Sequence, residues 1–261
     1  MIPSWGNCSV QEISKRQVID LVSEVVARGT PSAANKLLKV VKTFFAWCVG
    51  KAILELSPAK GVMAPAKEKP RDRVLDDDEL ARIITAARQI NSPYGGIVEL
   101  LALTGQRREE VARLSWDELD LARQTWTLPG SRTKNGKPHI VHLSHEVIAL
   151  LLRMPRLGKF TFSFSGEKPF QNFSAAKREL DKLSGVSGWR LHDLRRTCVS
   201  GMARLGIPPH VADKVLNHQS GTISGVAAVH QRHEFLAERK DALDRWGAHV
   251  AGLANKDSLA A

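Results

Sequence analysis

Residues 65–73 divide this chain. The run Pro65-Ala66-Lys67-Glu68-Lys69-Pro70-Arg71-Asp72-Arg73 carries two prolines, a high density of charge and no apolar period. Proline locks φ and lacks a backbone N–H, so such a run supports neither a continuous helix nor a sheet ladder. It reads as an exposed linker at 67–72, which predicts a small unit over 1–66 and a larger one over 73–261.

The small unit reads as helical. Between Ala33 and Cys48, apolar residues fall at 37, 41, 44 and 48 and again at 38 and 45, a 3.6-residue period. Lys36, Lys39 and Lys42 recur every three residues on that helix. They could face a nucleic-acid backbone or simply be solvated. In the larger unit, acidic residues in Leu75-Asp76-Asp77-Asp78-Glu79-Leu80 precede an apolar stripe and mark a helix start. A helix through Ile97–Leu103 stops at Gly105, and another carries Arg107–Leu114. Thr125–Leu128 and His139–Leu143 are β-rich runs separated by turn residues that include Asn135-Gly136. From 145 onward the pattern is helical. The fold class expected is therefore mainly α, in the α+β sense, with a small antiparallel β-sheet inside the larger unit.

Thirty-eight Lys and Arg against 27 Asp and Glu give 261 residues a net charge of +11. That surplus favours a polyanionic partner. Cys8, Cys48 and Cys198 are scattered, with no CxxC pair, which argues against a disulfide framework or thiolate metal site and fits a reducing cytosol. No run of 18 apolar residues and no basic-then-apolar leader is found, so neither membrane insertion nor secretion is expected. His139, His142 and His145 are spaced by three. In a strand the first two point to opposite faces and cannot chelate together, so no metal and no cofactor is expected.

Several polar residues could carry chemistry. Thr104-Gly105-Gln106-Arg107-Arg108-Glu109-Glu110 sets a glycine break before an arginine at a helix start, where the planar fork suits a phosphate and Glu110 could position it. Lys134 sits in the turn between the β-rich runs and could protonate a leaving oxygen, with Arg132 and Lys137 as competitors. His192 and Arg195 stand three apart on one helix, with Leu191, Leu194, Cys198 and Met202 marking the buried side. His218 follows a helix containing Val211 and Val215. Each alone reads as easily as a surface or structural residue.

Their joint order resembles the tyrosine recombinases, the phage-type integrases. TGQRREEVARLSW and LHDLRRT are the specific segments, and the resemblance covers nearly the whole chain. It implies a small helical core DNA-binding domain at 1–66 and a catalytic domain at 73–261. The further N-terminal arm-binding domain of many integrases is expected to be missing, and the chain to be a fragment of a longer protein. It also implies roles. Arg107 and Arg195 hold the scissile phosphate, Lys134 protonates the leaving 5′ oxygen, His192 is the acid/base histidine and His218 the last phosphate ligand. Glu110 supports Arg107, while Lys36, Lys39, Lys42 and Arg132 are candidate DNA contacts. Implied partners are double-stranded DNA at attachment or core sites, a homotetramer on that DNA and accessory DNA-bending proteins, in a bacterial cytoplasm at the nucleoid. Residues 237–250 are long enough to pack on a neighbouring subunit or to fold back.

The family's nucleophilic tyrosine matches position 230, which here is His230, within Val229-His230-Gln231-Arg232-His233-Glu234-Phe235-Leu236. The only tyrosine, Tyr94, lies elsewhere and reads as a helix-entry residue. Three readings follow. The nucleophile is lost, naturally or by introduction; His230 itself attacks phosphorus; or the match slips and His233 or another group serves. A catalytically inactive DNA-binding accessory factor of the same fold is the rival from another functional class.

Overall fold

The computed structural model describes residues 2–67, 71–133, 135–218 and 233–259. The chain divides into two compact units, Met1–Asp72 and Arg73–Ala261, and their apolar cores share no residue.

The first unit holds α1 (Ile2–Trp5), α2 (Lys15–Ala27) and α3 (Pro31–Gly50). Ser14 caps α2 through a reciprocal exchange with Gln17, whose side chain accepts from the Ser14 N–H at 2.8 Å. Pro31 opens α3 at a position where no N–H is needed. Val18, Leu21 and Val22 of α2 pack on Ala34, Leu38, Val41 and Phe45 of α3. The apolar period slips at one place. Phe44 is 39% exposed and stacks on the equally outward Trp47, with centroids 6.4 Å apart, while its neighbour Phe45 takes the core. Lys36, Lys39 and Lys42 are exposed on α3.

The second unit opens with α4 (Asp77–Gln89), capped by Asp76, whose side chain accepts from the Glu79 N–H at 2.8 Å. It continues with α5 (Pro93–Thr104), α6 (Arg108–Ala112), a sheet of β1 (Leu119–Asp120), β2 (Thr125–Leu128) and β3 (His139–His142), then α7 (His145–Arg153), α8 (Phe173–Ser184), α9 (Leu191–Arg204), α10 (Pro209–Val215) and α11 (Leu236–Leu259). The sheet is antiparallel in the order β1-β2-β3, with Trp126 opposite Val141 and Leu128 opposite His139. The two-residue β1 carries no alternation that a sequence could display. The β2–β3 connection begins with a 3₁₀ turn at Gly130–Arg132, and the Gly136 N–H then donates to the Thr133 carbonyl at 3.3 Å, closing a turn that includes Asn135-Gly136.

Helix α5 is buried from Tyr94 to Thr104 and apolar but for Thr104 and Glu99, which pairs with Arg88 and Arg153, and it is the central post of this unit. Tyr94 in its first turn is fully buried against Phe170 and Phe173, and burial holds its phenol far above the ordinary range. It cannot serve as a nucleophile from there. Residues 237–250 fold back. Ala242, Leu243, Trp246 and Val250 of α11 join this unit's own core, and Trp246 Nε1 donates to the Ala102 carbonyl at 2.8 Å. Gly201 of α9 makes that possible, since a Cβ there would lie 2.1 Å from the Trp246 ring. Among the described residues no helix is long and apolar enough to cross a membrane.

Candidate active site

The break at Gly105 organises the site. It ends α5 at φ +64°, in the left-handed region, and a Cβ there would sit 2.7 Å from Leu216 and 3.0 Å from the Cys198 sulfur. Backbone conformation and space both require glycine. The chain then turns sharply, and Arg107 becomes the N-cap of α6. Glu110, buried one turn later, accepts from the Arg107 N–H at 2.8 Å and from its guanidinium at 2.9 Å. The carboxylate both caps the helix and aims the side chain, and Arg107 stays 29% exposed at the wall of a groove of about 740 Å³.

Arg195 is buried beneath. It donates to the Gly105 carbonyl at 2.7 Å and to the Leu216 carbonyl at 2.5 Å. It thereby pins the segment leading to Arg107 against the end of α10, two residues before His218. Burial, then the charge of Arg107, lower its pKa to about 10. Two guanidinium groups that disfavour one another in a poorly solvated place gain from an anion set between them.

The end of α10 is tied from three directions. The Val215 carbonyl accepts from Gln106 Nε2 at 3.0 Å and from His139 Nε2 at 3.1 Å, and the Leu216 carbonyl accepts from Arg195. That bond makes His139 the Nε2–H tautomer and leaves Nδ1 to accept from Arg239, 3.5 Å away. Burial and then the Arg239 charge depress His139 to about 3. Asn217 turns the chain at φ +53°, and the His218 ring is oriented by Asp213 Oδ1, 3.1 Å from Nδ1.

His192 is exposed at the start of α9, and partial burial followed by the charges of Arg196 and Arg195 lowers its pKa. The imidazole is therefore neutral near pH 7, able to accept or donate a proton. Buried Asp193 beside it accepts from the Arg190 N–H at 2.8 Å and pairs with Arg196 at 2.6 Å, fixing the helix start.

Arg107, Glu110, Arg195, His192 and His218 thus belong to linked segments of one unit. Lys134 and His230 lie outside the described residues. Arg132 lines the groove, but its guanidinium is bonded to Glu118 and to the Glu110 carbonyl, so it buttresses the Arg107 turn. Lys36, Lys39 and Lys42 belong to the first unit. Arg108, Lys177 and Arg190 complete a cationic groove wall, with the Lys177 ammonium 3.9 Å over the Trp189 ring. No sequence signal marks the roles of Gln106, His139 and Arg239, because their work is to hold carbonyls contributed by distant segments. Among the described residues no group of three or more His, Cys, Asp or Glu is placed to hold a metal.

A mostly helical unit with a small sheet, carrying two coupled arginines and two flanking histidines, suits phosphodiester chemistry. The chain belongs to the phage integrase family, the tyrosine recombinases, whose family match spans residues 73–231. It is 26% identical to prophage integrase IntA of Escherichia coli K12, across 99% of this chain and 64% of that protein. It is 29% identical to tyrosine recombinase XerC of Xanthomonas campestris, across 56% of this chain and 45% of that protein. The chain thus spans less than two thirds of these relatives. In fold it is similar to a lambda integrase dimer bound to a COC′ core site, with TM-score 0.66, 18% identity and coverage of 83% of this chain and 82% of that one. A lambda integrase tetramer bound to a Holliday junction gives TM-score 0.66 at 17% identity, covering 83% of this chain and 67% of that one.

Proposed function

We propose that this chain grips duplex DNA at attachment or core sites as a site-specific recombinase subunit, and that His230 leaves it deficient in cleavage. The observation that carries this reading is Arg195, which joins the Arg107 turn to the His218 turn through the Gly105 and Leu216 carbonyls. The two arginines bind the non-bridging oxygens of one phosphate and offset the charge that grows there during in-line displacement. His192 moves a proton, His218 donates to an oxygen, and Lys134 protonates the departing 5′ oxygen. In working relatives a tyrosine oxygen attacks phosphorus, and the covalent 3′-phosphoryl link conserves the bond energy until a 5′ hydroxyl reverses the step. This supports integration or excision of mobile DNA by subunits assembled as a tetramer on two sites, in a bacterial cytoplasm. A dimer and a tetramer on DNA among the structural neighbours favour that assembly.

Imidazole is shorter than phenol, so its nitrogen falls short of the phosphate, and a displacement of about 1 Å costs roughly 100-fold in rate. Covalent capture on a nicked attachment-site DNA tests the reading. An adduct formed only by His230→Tyr identifies a sound pocket with a lost nucleophile. An acid-labile adduct from the unmodified chain makes histidine the nucleophile, since a phosphoramidate hydrolyses in acid. No adduct from either, on DNA shown to be bound, favours the second reading that His230 itself raises: a DNA-binding accessory factor built on the recombinase fold.

A further inference from the structure

The loop between β2 and β3 reaches across to the end of α10 by one side-chain bond. Asn135 Nδ2 donates to Asn217 Oδ1 at 2.7 Å. The amide orientation is fixed by chemistry, because Asn135 Oδ1 accepts the Lys137 backbone N–H at 3.1 Å and its nitrogen must therefore face Asn217. Both residues are half-buried, where water competes less for the bond. Asn135 directly follows Lys134 in the chain, and Asn217 directly precedes His218.

The two ends of this bond are not equally firm. Asn217 stands on the anchored end of α10, whose Val215 and Leu216 carbonyls are held by Gln106, His139 and Arg195. Its own backbone occupies φ +53°, which asparagine tolerates better than most residues. The loop side is held at its start by Arg132, whose guanidinium bonds Glu118 and the Glu110 carbonyl, and beyond it only locally. The buried Thr133 hydroxyl lies 2.8 Å from the Lys137 carbonyl and 3.0 Å from that of Gly130, and its single proton serves one at a time. Those bonds keep the loop's shape past Arg132, and Asn135 joins that part of it to the end of α10.

We infer that Asn135 and Asn217 are positioning residues, a tether that sets the loop bearing Lys134 at a fixed distance from the turn bearing His218. The inference rests on the proposed roles of Lys134 and His218. In the step it serves, the nucleophile oxygen loses its proton to neutral His192 and bonds to phosphorus as the P–O5′ bond breaks, and the Lys134 proton passes to O5′. A loop tied to the phosphate-binding frame keeps that proton in reach of the leaving oxygen. An untied loop delivers it from a wider spread of positions, and a displacement of about 1 Å costs roughly 100-fold.

The test uses the full chain carrying His230→Tyr and DNA cleaved at one site. Asn135→Ala is expected to slow adduct formation roughly 10- to 100-fold. On DNA with sulfur in place of the bridging 5′ oxygen the loss should nearly vanish, because a thiol of pKa about 8.5 leaves without a donated proton. Asn135→Asp should stay within about threefold of the parent: it still accepts from Lys137, and the Asn217 amide rotates to donate to its second oxygen. Equal slowing on both DNAs, or Asn135→Asp as slow as Asn135→Ala, overturns the inference. Lys134→Ala in the same background tests the underlying reading separately, since absence of sulfur rescue there rejects the leaving-group role of Lys134. Hydrogen exchange on the unmodified chain decides the tether without cleavage. Asn135→Ala is expected to raise exchange in 133–138 while 216–218, held by Gln106, His139 and Arg195, stays unchanged, and unchanged exchange in 133–138 overturns it.

Discussion

His139 carries the clearest pH signature in the molecule. Its folded pKa is held near 3, against about 6.5 in an unfolded chain. Between those values the unfolded chain binds a proton that the folded one refuses. Stability is therefore full above about pH 6.5 and falls as pH drops toward 3, by about 1.4 kcal/mol per pH unit at most from this residue. Denaturant titrations between pH 4 and 6 should show that slope, and His139→Gln, which keeps a donor for the Val215 carbonyl, should flatten it. An unchanged slope in the variant would place the loss elsewhere. Arg195 is the complementary case. Its low exposure is offset by two carbonyl acceptors and the nearby carboxylate of Glu110, so a buried cation persists where an unpartnered one would not. The histidine and arginine of the 191–197 segment were legible as a pair three residues apart. That one stands exposed and the other lies under the Arg107 turn depends on which side of α9 the core covers.

Helix α11 shows how an element acquires its partner. Its length fits a neighbour as well as its own unit. Gly201 decides the matter, since the gap it leaves on α9 accepts the Trp246 ring, and Ala102 supplies the carbonyl for the indole N–H. Trp246→Ala removes a fully buried ring and leaves that carbonyl without its donor. The expected cost is about 3–5 kcal/mol, read as a lower denaturant midpoint. A loss under about 1 kcal/mol would mean that α11 contributes little to this unit. The sheet teaches the reverse lesson: β2 and β3 were visible as β-rich runs, but β1 is two residues long and exists only because Leu119 and Asp120 lie beside Trp126 and Thr125.

In the molecule as a whole, the structure divides into two compact units, Met1–Asp72 and Arg73–Ala261. Each unit closes its own apolar cluster, and the larger includes α5, wrapped on all sides. Residues 73–261 expressed alone are therefore expected to unfold in a single cooperative transition, with the circular dichroism of a mostly helical protein. A noncooperative melt of that fragment would show that the smaller unit completes the larger one's core. The net charge of +11 belongs to this scale too, since it governs association with a polyanion and says nothing of fold.

The chain's pattern alone specified the break at 65–73, the helical periods, the two long strands and the order of TGxRxxE, HxxR and LxH, because these depend on local spacing and on residue chemistry that one strand of text preserves. That residue 230 is a histidine, and that the one tyrosine is Tyr94, is likewise plain from the chain alone. Tertiary structure alone decided that Phe44 faces out while Phe45 faces in, that Arg132 buttresses rather than reaches, and that Gln106, His139 and Arg195 converge on two carbonyls at the end of α10. Backbone carbonyls carry no residue-specific signal, so the side chains that satisfy them are recognisable only once distant segments are brought together.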